Sequence, residues 1–232
     1  MKEVIDLEII TVDFLKKSEE IKAFLVLSER QMEIQGYTEH SYRHVGLVSY
    51  ESGRILSELG YPEREIQLAE VAGYLHDIGN AINRVDHAHT GAIMAYNFLT
   101  KSGMPVDEAA EIMIAIGNHD EATGTAVSVI SSALIIADKS DVHRSRVRRS
   151  EIMDKATLAI DIHDRVNYAV VNSSVQVDRE GKFVLLDLTI DTQICPVMDY
   201  FEIFIGRMTM TRRAAKFLDL DFQLKINGSQ LL

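Results

Sequence analysis

The sequence predicts a mainly α-helical fold, with a helical body over residues 1–165 and a small α+β element over residues 166–232. Three observations predict it. From residue 11 to about 165, apolar residues recur at helical spacing between glycine and proline stops. Beyond that point the period changes: two runs rich in β-branched residues, Val170–Val177 and Phe183–Ile190, flank Asp178-Arg-Glu-Gly181-Lys182 in a hairpin pattern. The chain also has only three prolines and no low-complexity stretch, so no linker of disordered composition separates the two parts.

Taken in order, Phe14–Gln35 reads as the first helix, with Leu15, Ile21, Phe24, Leu25 and Met32 on its apolar side. Ser41–Leu59 is stopped by Gly60 and Pro62. Glu63–Asp77 repeats apolar residues at Ile66, Leu68, Val71, Ala72 and Leu75 and ends at Gly79. His87–Lys101 precedes Ser102-Gly103 and Pro105; Val106–Gly117 and Val127–Arg148 follow, and 150–165 reads as helical at first, then irregular. The second part reads β-β-α-β, with a helix over Tyr200–Leu218 and a returning strand over Phe222–Ile226 before the turn at Asn227-Gly228. It is expected to act as a cap or dimerisation element. An uncovered hairpin edge invites pairing, which makes a homodimer through this segment the expectation.

Bulk properties narrow the function. A chain with 47% hydrophobic and 25% charged residues is an ordinary globule. Its formal charge of −11 argues against a nucleic-acid polymer or an anionic membrane as partner. A small phosphorylated ligand is still compatible, because a bound metal and a local basic cluster reverse the sign inside one cleft. The single Cys195, just before Pro196, excludes an internal disulfide framework and reads as a small buried apolar residue in a reducing cytosol. The opening MKEVIDLEII carries acidic residues through its apolar stretch, unlike a secretory signal, and the longest apolar run, Val127–Ala137, is too short to span a bilayer. A cytoplasmic protein with no membrane partner is expected.

The chemistry lies in His44, His76, Asp77, His87, His119 and Asp138, spread over successive helices. Neutral imidazole and carboxylate are the ligands that hold Zn, Mn, Fe or Co. Adjacent helical residues diverge by about a hundred degrees, so His76 and Asp77 share a cleft only if an ion sits near the helix end. There a carboxylate can bridge two ions through its two oxygens. An isolated His-Asp pair more often caps a helix; the ordered set is what argues for metal. His40 lies one turn before His44, and His89 two residues after His87, so each offers an alternative donor.

Arg43-His44, the LHDIGN run Leu75–Asn80, His87-Ala-His-Thr-Gly-Ala92, Asn118-His119-Asp120 and Ile135-Ile-Ala-Asp138-Lys139 together resemble the HD-domain metal-dependent phosphohydrolases, over roughly residues 38–145. The resemblance implies one ion held by His44, His76, Asp77 and Asp138 and a second held by Asp77, His87 and His119, the two-metal pattern. It favours His44 over His40 by the distance to Gly60, and His87 over His89 by the glycine at Gly91. Where related members often carry a lysine after His-Asp-x-Gly, this chain has Asn80.

The expected cofactors are two divalent metal ions among Fe, Mn, Zn, Co and Mg, with four histidines disfavouring Mg. Asp77, His119 and Asp120 are the expected catalytic residues, Asp120 accepting a proton or orienting a ligand histidine. Lys139, His143, Arg144, Arg146, Arg148 and Arg149 form the one dense basic patch. On a continuous helix Lys139 and His143 share a face, as do Arg144 and Arg148. Lys139, His143 and Arg144, with His40, are the expected substrate-binding groups. The cluster Asp161-Ile-His163-Asp164-Arg165 is expected to stitch the two parts together. The function this implies is hydrolysis of a phosphate ester, of a nucleotide or another small phosphorylated molecule, by metal-activated water. Two other readings are a catalytically silent sensor or scaffold that binds phosphorylated metabolites, and a di-iron oxygenase, which leaves the basic patch without a role.

Overall fold

The computed structural model describes residues 9–39, 42–148 and 162–232. The first expected helix is two: α1 (Val12–Lys17) and α2 (Glu19–Ile34). At Ser18 the backbone turns extended (ψ 122°), and Ser18 Oγ accepts a hydrogen bond from the Ile21 amide at 3.3 Å. A serine cap before a pair of glutamates restarts the helix, because it satisfies an amide that has no partner in the first turn.

Helix α3 (Tyr42–Leu59) and helix α4 (Glu63–Leu75) are separated by Gly60, whose φ of +80° takes the chain out of the first helix. A short 3-10 turn (Ile78–Ala81) leads to α5 (His87–Lys101), α6 (Val106–Gly117) and α7 (Val129–Ser140). Every residue of α7 from Ile130 to Ser140 is buried. A helix apolar on all sides can only be stable as the centre of a bundle, and α3, α4 and α6 pack around it.

The expected continuation of α7 to Arg148 does not occur. The helix stops at Ser140, Asp141 adopts φ −76°, ψ 72°, and a 3-10 turn follows at Arg144–Arg146. The cause is tertiary. Asp141 is drawn into hydrogen bonds with Arg43 and His44 of α3, which a continued helix would not deliver. Lys139 and His143 therefore share no helix face, and neither do Arg144 and Arg148. Arg149 lies outside the described residues, as does the expected helical start of the segment after residue 150.

Helix α8 (Ile162–Ala169), where irregular chain was expected up to 165, runs directly into β1 (Val170–Asp178). Next come β2 (Phe183–Ile190), α9 (Val197–Phe217), β3 (Asp221–Ile226) and β4 (Ser229–Gln230). The sheet order is β1-β2-β3-β4; the outer pairs are antiparallel, and β2 and β3, joined through α9, are parallel. Strand β4 was not anticipated. It follows the Asn227-Gly228 turn, whose φ angles of 49° and 82° are those of a two-residue hairpin. Val184, Leu186 and Leu188 of β2 and Phe222, Leu224 and Ile226 of β3 are buried at alternate positions, and α9 packs on both strands while also lying along α7. One apolar core runs from α1 to β3.

Two hydrogen bonds join the hairpin edge to the helical body. Ser173 Oγ donates to Ser140 O at 2.6 Å, and Arg54 of α3 donates to Val175 O at 2.7 Å. The chain's own helical body thus reaches strand β1 at two points. Arg165 of α8 donates to Asp199 of α9 at 3.0 Å, so this member of the polar cluster ties two elements of the C-terminal region. Among the described residues no helix is long and apolar enough to cross a membrane.

Candidate metal centre

Five elements bring six donor side chains to one place. His44 comes from the first turn of α3, His76 and Asp77 from the end of α4, His87 from the first residue of α5, His119 from just beyond α6, and Asp138 from the last turn of α7. All six are buried; Asp138, the most exposed, reaches 8%. His76 keeps helical angles, whereas Asp77 moves to φ −100°, ψ 4°, the sparsely allowed bridge region that active-site residues often occupy. That change of backbone lets two adjacent side chains converge on one centre.

Two glycines make the convergence possible. A Cβ on Gly73 would sit 2.7 Å from Ser49 Cα, so the absence of a side chain there lets α4 press against α3 and bring His76 to His44. A Cβ on Gly79 would lie 2.0 Å from the carbonyl oxygen of His87. The start of α5 can therefore rest on the turn after Asp77 only because residue 79 is glycine.

Hydrogen bonds fix the proton on each imidazole. Nδ1 of His76, His87 and His119 faces the carbonyl three residues back, of Gly73 (2.8 Å), Arg84 (3.0 Å) and Ile116 (2.6 Å). A carbonyl only accepts, so each Nδ1 carries the hydrogen and each Nε2 presents a lone pair. His44 Nδ1 donates in the same way to Asp141 Oδ2 at 2.7 Å. The four Nε2 atoms then point inward, His44 to His76 at 3.2 Å and His87 to His119 at 3.3 Å. Facing lone pairs at that separation repel unless positive charge lies between them.

The carboxylates complete the ring in two halves. Asp77 Oδ2 is 3.6 Å from His44 Nε2 and 3.4 Å from His76 Nε2, whereas Asp77 Oδ1 is 3.5 Å from His87 Nε2 and 3.9 Å from His119 Nε2. Asp138 Oδ1 joins the first half, 3.4 Å from His44 Nε2 and 3.8 Å from His76 Nε2. Donor atoms 3.2–3.9 Å apart are spaced as ligands about 2.0–2.2 Å from a shared ion must be. Three overlapping triads have donor atoms within 4.8 Å of one another: His44, His76 and Asp77; His76, His119 and Asp138; Asp77, His87 and His119. The donor set fits divalent metal.

The electrostatics agree. Burial works against charge on His76, yet Asp77 and Asp138 raise its pKa, so this corner favours a cation. Burial, with His76 and Lys139 nearby, drives His119 well below its usual value and keeps it neutral, as a ligand must be. Burial would raise Asp138, but the Lys139 ammonium beside it holds its carboxyl well below the ordinary range.

Lys139 is itself buried and forms ion pairs at 2.7 Å with both Asp138 Oδ2 and Glu121 Oε2. Its ammonium is engaged by two carboxylates instead of facing a cleft, unlike the phosphate contact expected from the sequence. Glu121, despite burial, is lowered to about 2 by Lys139 and Arg207, and Arg207 of α9 reaches it at 3.3 Å. His143 is bonded to Ser145 and lies 3.2 Å from Val171 O, and Arg144 stacks on the Tyr168 ring at 5.3 Å. His40 falls outside the described residues. His89 turns outward beside Asp86, half-exposed, away from the donor ring. Asp120 directs Oδ2 to 3.9 Å from His87 Nε2, and its Oδ1 accepts from the Ala122 amide at 2.9 Å.

Four residues around the ring were given no role from the sequence. Asn80 donates to Asp77 Oδ1 at 2.9 Å, and its position directly after His-Asp-x-Gly was the available signal. Asp141 sits three residues after Asp138, masked by the expectation of continuous helix. Arg84 and Glu121 carried no sequence signal beyond nearness to His87 and His119.

A family model described as HD domain matches residues 37–167. Among solved structures, the crystal structure of a protein described as a predicted HD superfamily hydrolase from an uncultured Thermotogales bacterium is similar, at 24% identity over 57% of this chain and 74% of that chain, with a TM-score of 0.43.

Proposed function

The chain belongs to the HD-domain family, a superfamily of metal-dependent hydrolases, and from that premise we propose that it hydrolyses the phosphate ester of a nucleotide or another small phosphorylated molecule at a two-ion centre. The observation that carries the reading is Asp77, whose two oxygens each face a separate pair of imidazoles. On this reading His44, His76, Asp77 and Asp138 hold one ion, and Asp77, His87 and His119 hold the other. Two such ions supply a water nucleophile at neutral pH and Lewis-acid polarisation of a phosphoryl oxygen.

The chain's own residues do the rest. Asp141 fixes the proton on His44 and so keeps its Nε2 lone pair turned inward. Asn80 orients Asp77 from the Oδ1 side. Lys139 occupies Asp138 Oδ2, leaving Oδ1 for the centre. Asp120, with Oδ2 beside the His87 half, holds a carboxylate where it can accept a proton from the attacking water.

The test is elemental analysis of metal-reconstituted protein with a phosphoester panel, using Asp77→Ala as control. The expected result is close to two ions per chain and phosphate release in the wild type, with both lost in the variant. Less than one tightly bound ion per chain, or an ion-loaded protein that releases no phosphate from any ester, refutes the reading.

A further inference from the structure

Arg84 is the cationic group that the donor ring itself leaves unexplained. Its Nη1 lies 3.2 Å from His87 Nε2, 3.3 Å from Asn80 Oδ1 and 3.9 Å from Asp77 Oδ1. The guanidinium therefore stands against the half of the ring formed by His87, His119 and Asp77 Oδ1. The other basic groups around the centre are committed elsewhere. Lys139 pairs with Asp138 and Glu121, Arg146 with Asp141, Arg43 with Glu39 and Asp141, and Arg148 with Glu29. Arg84 makes no such close pair; its nearest carboxylate oxygen is the one 3.9 Å away on Asp77.

Arg84 also lines a cavity of about 310 Å³ that opens beside His87 and is completed by Asp120, Thr123 and the start of α5. The Asp86 side chain forms no capping bond there, so the first amides of α5 are not consumed by it. The volume lies at the low end of the roughly 300–1,000 Å³ typical of small-molecule sites. A compact ligand fits; a long polymer segment does not.

We propose that Arg84 is the anion-binding residue of this site and that it selects phosphomonoesters over phosphodiesters. The inference rests on the two-ion hydrolase reading and adds the substrate class. The logic is one of oxygen count. Two ions held by the ring would take up two non-bridging phosphoryl oxygens. A diester has only two, whereas a monoester has a third, and the guanidinium beside the second half of the ring is placed to take it. With ions present, His87 Nε2 and Asp77 Oδ1 are no longer available to Arg84, and its planar fork turns to the phosphoryl group, the geometry it matches best. Hydrolysis breaks the P–O bond to the leaving alkoxide, water supplies the new P–O bond and its proton passes to the alkoxide, and the released phosphate keeps its contact with Arg84 until it departs.

The experiment uses metal-loaded wild type, Arg84→Met and Arg84→Lys. Inorganic phosphate binding is measured by calorimetry, and turnover with p-nitrophenyl phosphate and bis(p-nitrophenyl) phosphate. Elemental analysis accompanies both. Wild type is expected to prefer the monoester. Arg84→Met is expected to weaken phosphate binding and raise the monoester KM by about tenfold or more, with a smaller loss for the diester and the metal content retained, and with Arg84→Lys in between. Unaltered phosphate affinity in Arg84→Met overturns the proposal, as does a wild-type preference for the diester or the loss of one ion in both variants. If wild type turns over neither ester but binds phosphate through Arg84, anion recognition stands and the hydrolase reading falls. If Arg84→Met hydrolyses the monoester with wild-type KM, the hydrolase reading stands and this inference falls.

Discussion

The two approaches to the donor ring, from α4 and α5 on one side and from α9 on the other, are built in different ways. Around His76, Asp77 and His87 the fit is made by backbone: Gly73 against Ser49 and Gly79 against the His87 carbonyl leave no room for a methyl group. On the α9 side the link is a relay of charged side chains, Arg207 to Glu121 to Lys139 to Asp138. Close-packed backbone cannot relax around an added atom, whereas a long side chain in a partly exposed ion pair can be replaced by solvent. The ring should thus be brittle on one side and tolerant on the other.

The largest effect is expected at Gly79. Gly79→Ala forces the start of α5 away from the turn after Asp77, which costs about 1–3 kcal/mol or more and moves His87 out of reach of Asp77. Chemical denaturation and metal analysis are both expected to register it. A variant with wild-type stability and full metal content would show that the α4–α5 contact is not rigid.

Asp141→Asn comes next. It removes the charge, and one of the two oxygens, that fix the proton on His44, and outer residues of this kind typically change metal affinity by about 10- to 100-fold. The measurement is a metal titration against a competing chelator. Unchanged affinity would mean that the tautomer of His44 is held by something else.

Arg207→Ala tests the tolerant side. Its partner Glu121 is about a third exposed, so the loss of the pair is expected to cost under about 1 kcal/mol and to leave metal content intact. A large drop in either would make the C-terminal element part of the centre instead of a support for it.

The same contrast explains what could be read from the sequence. The donor ring could be read because its information is local and chemical: an ordered set of imidazoles and carboxylates whose flanking residues resemble those of a known family. Helix α5 (His87–Lys101) and helix α6 (Val106–Gly117) could be read because Gly and Pro punctuate them. The end of α7 could not. Nothing near Ser140 announces a stop; the helix ends because Arg43 and His44, almost a hundred residues earlier, claim Asp141. With the helix cut short, the basic patch loses the shared helix faces expected of it. Lys139 shows the same limit: a lysine beside a ligand aspartate looks like a free cation until Glu121 is seen to sandwich it.

One consequence follows from the bonds between Nδ1 and the third carbonyl back at His76, His87 and His119. Helix termini ordinarily fray, opening with little free-energy cost and exchanging their amide hydrogens quickly. Here a loosened terminus would also set an imidazole spinning and spoil its aim. Occupancy by an ion should therefore quiet three separate chain ends at once, and slowed deuterium uptake around residues 73–76, 84–87 and 116–119 would serve as an inventory of which ligands have closed.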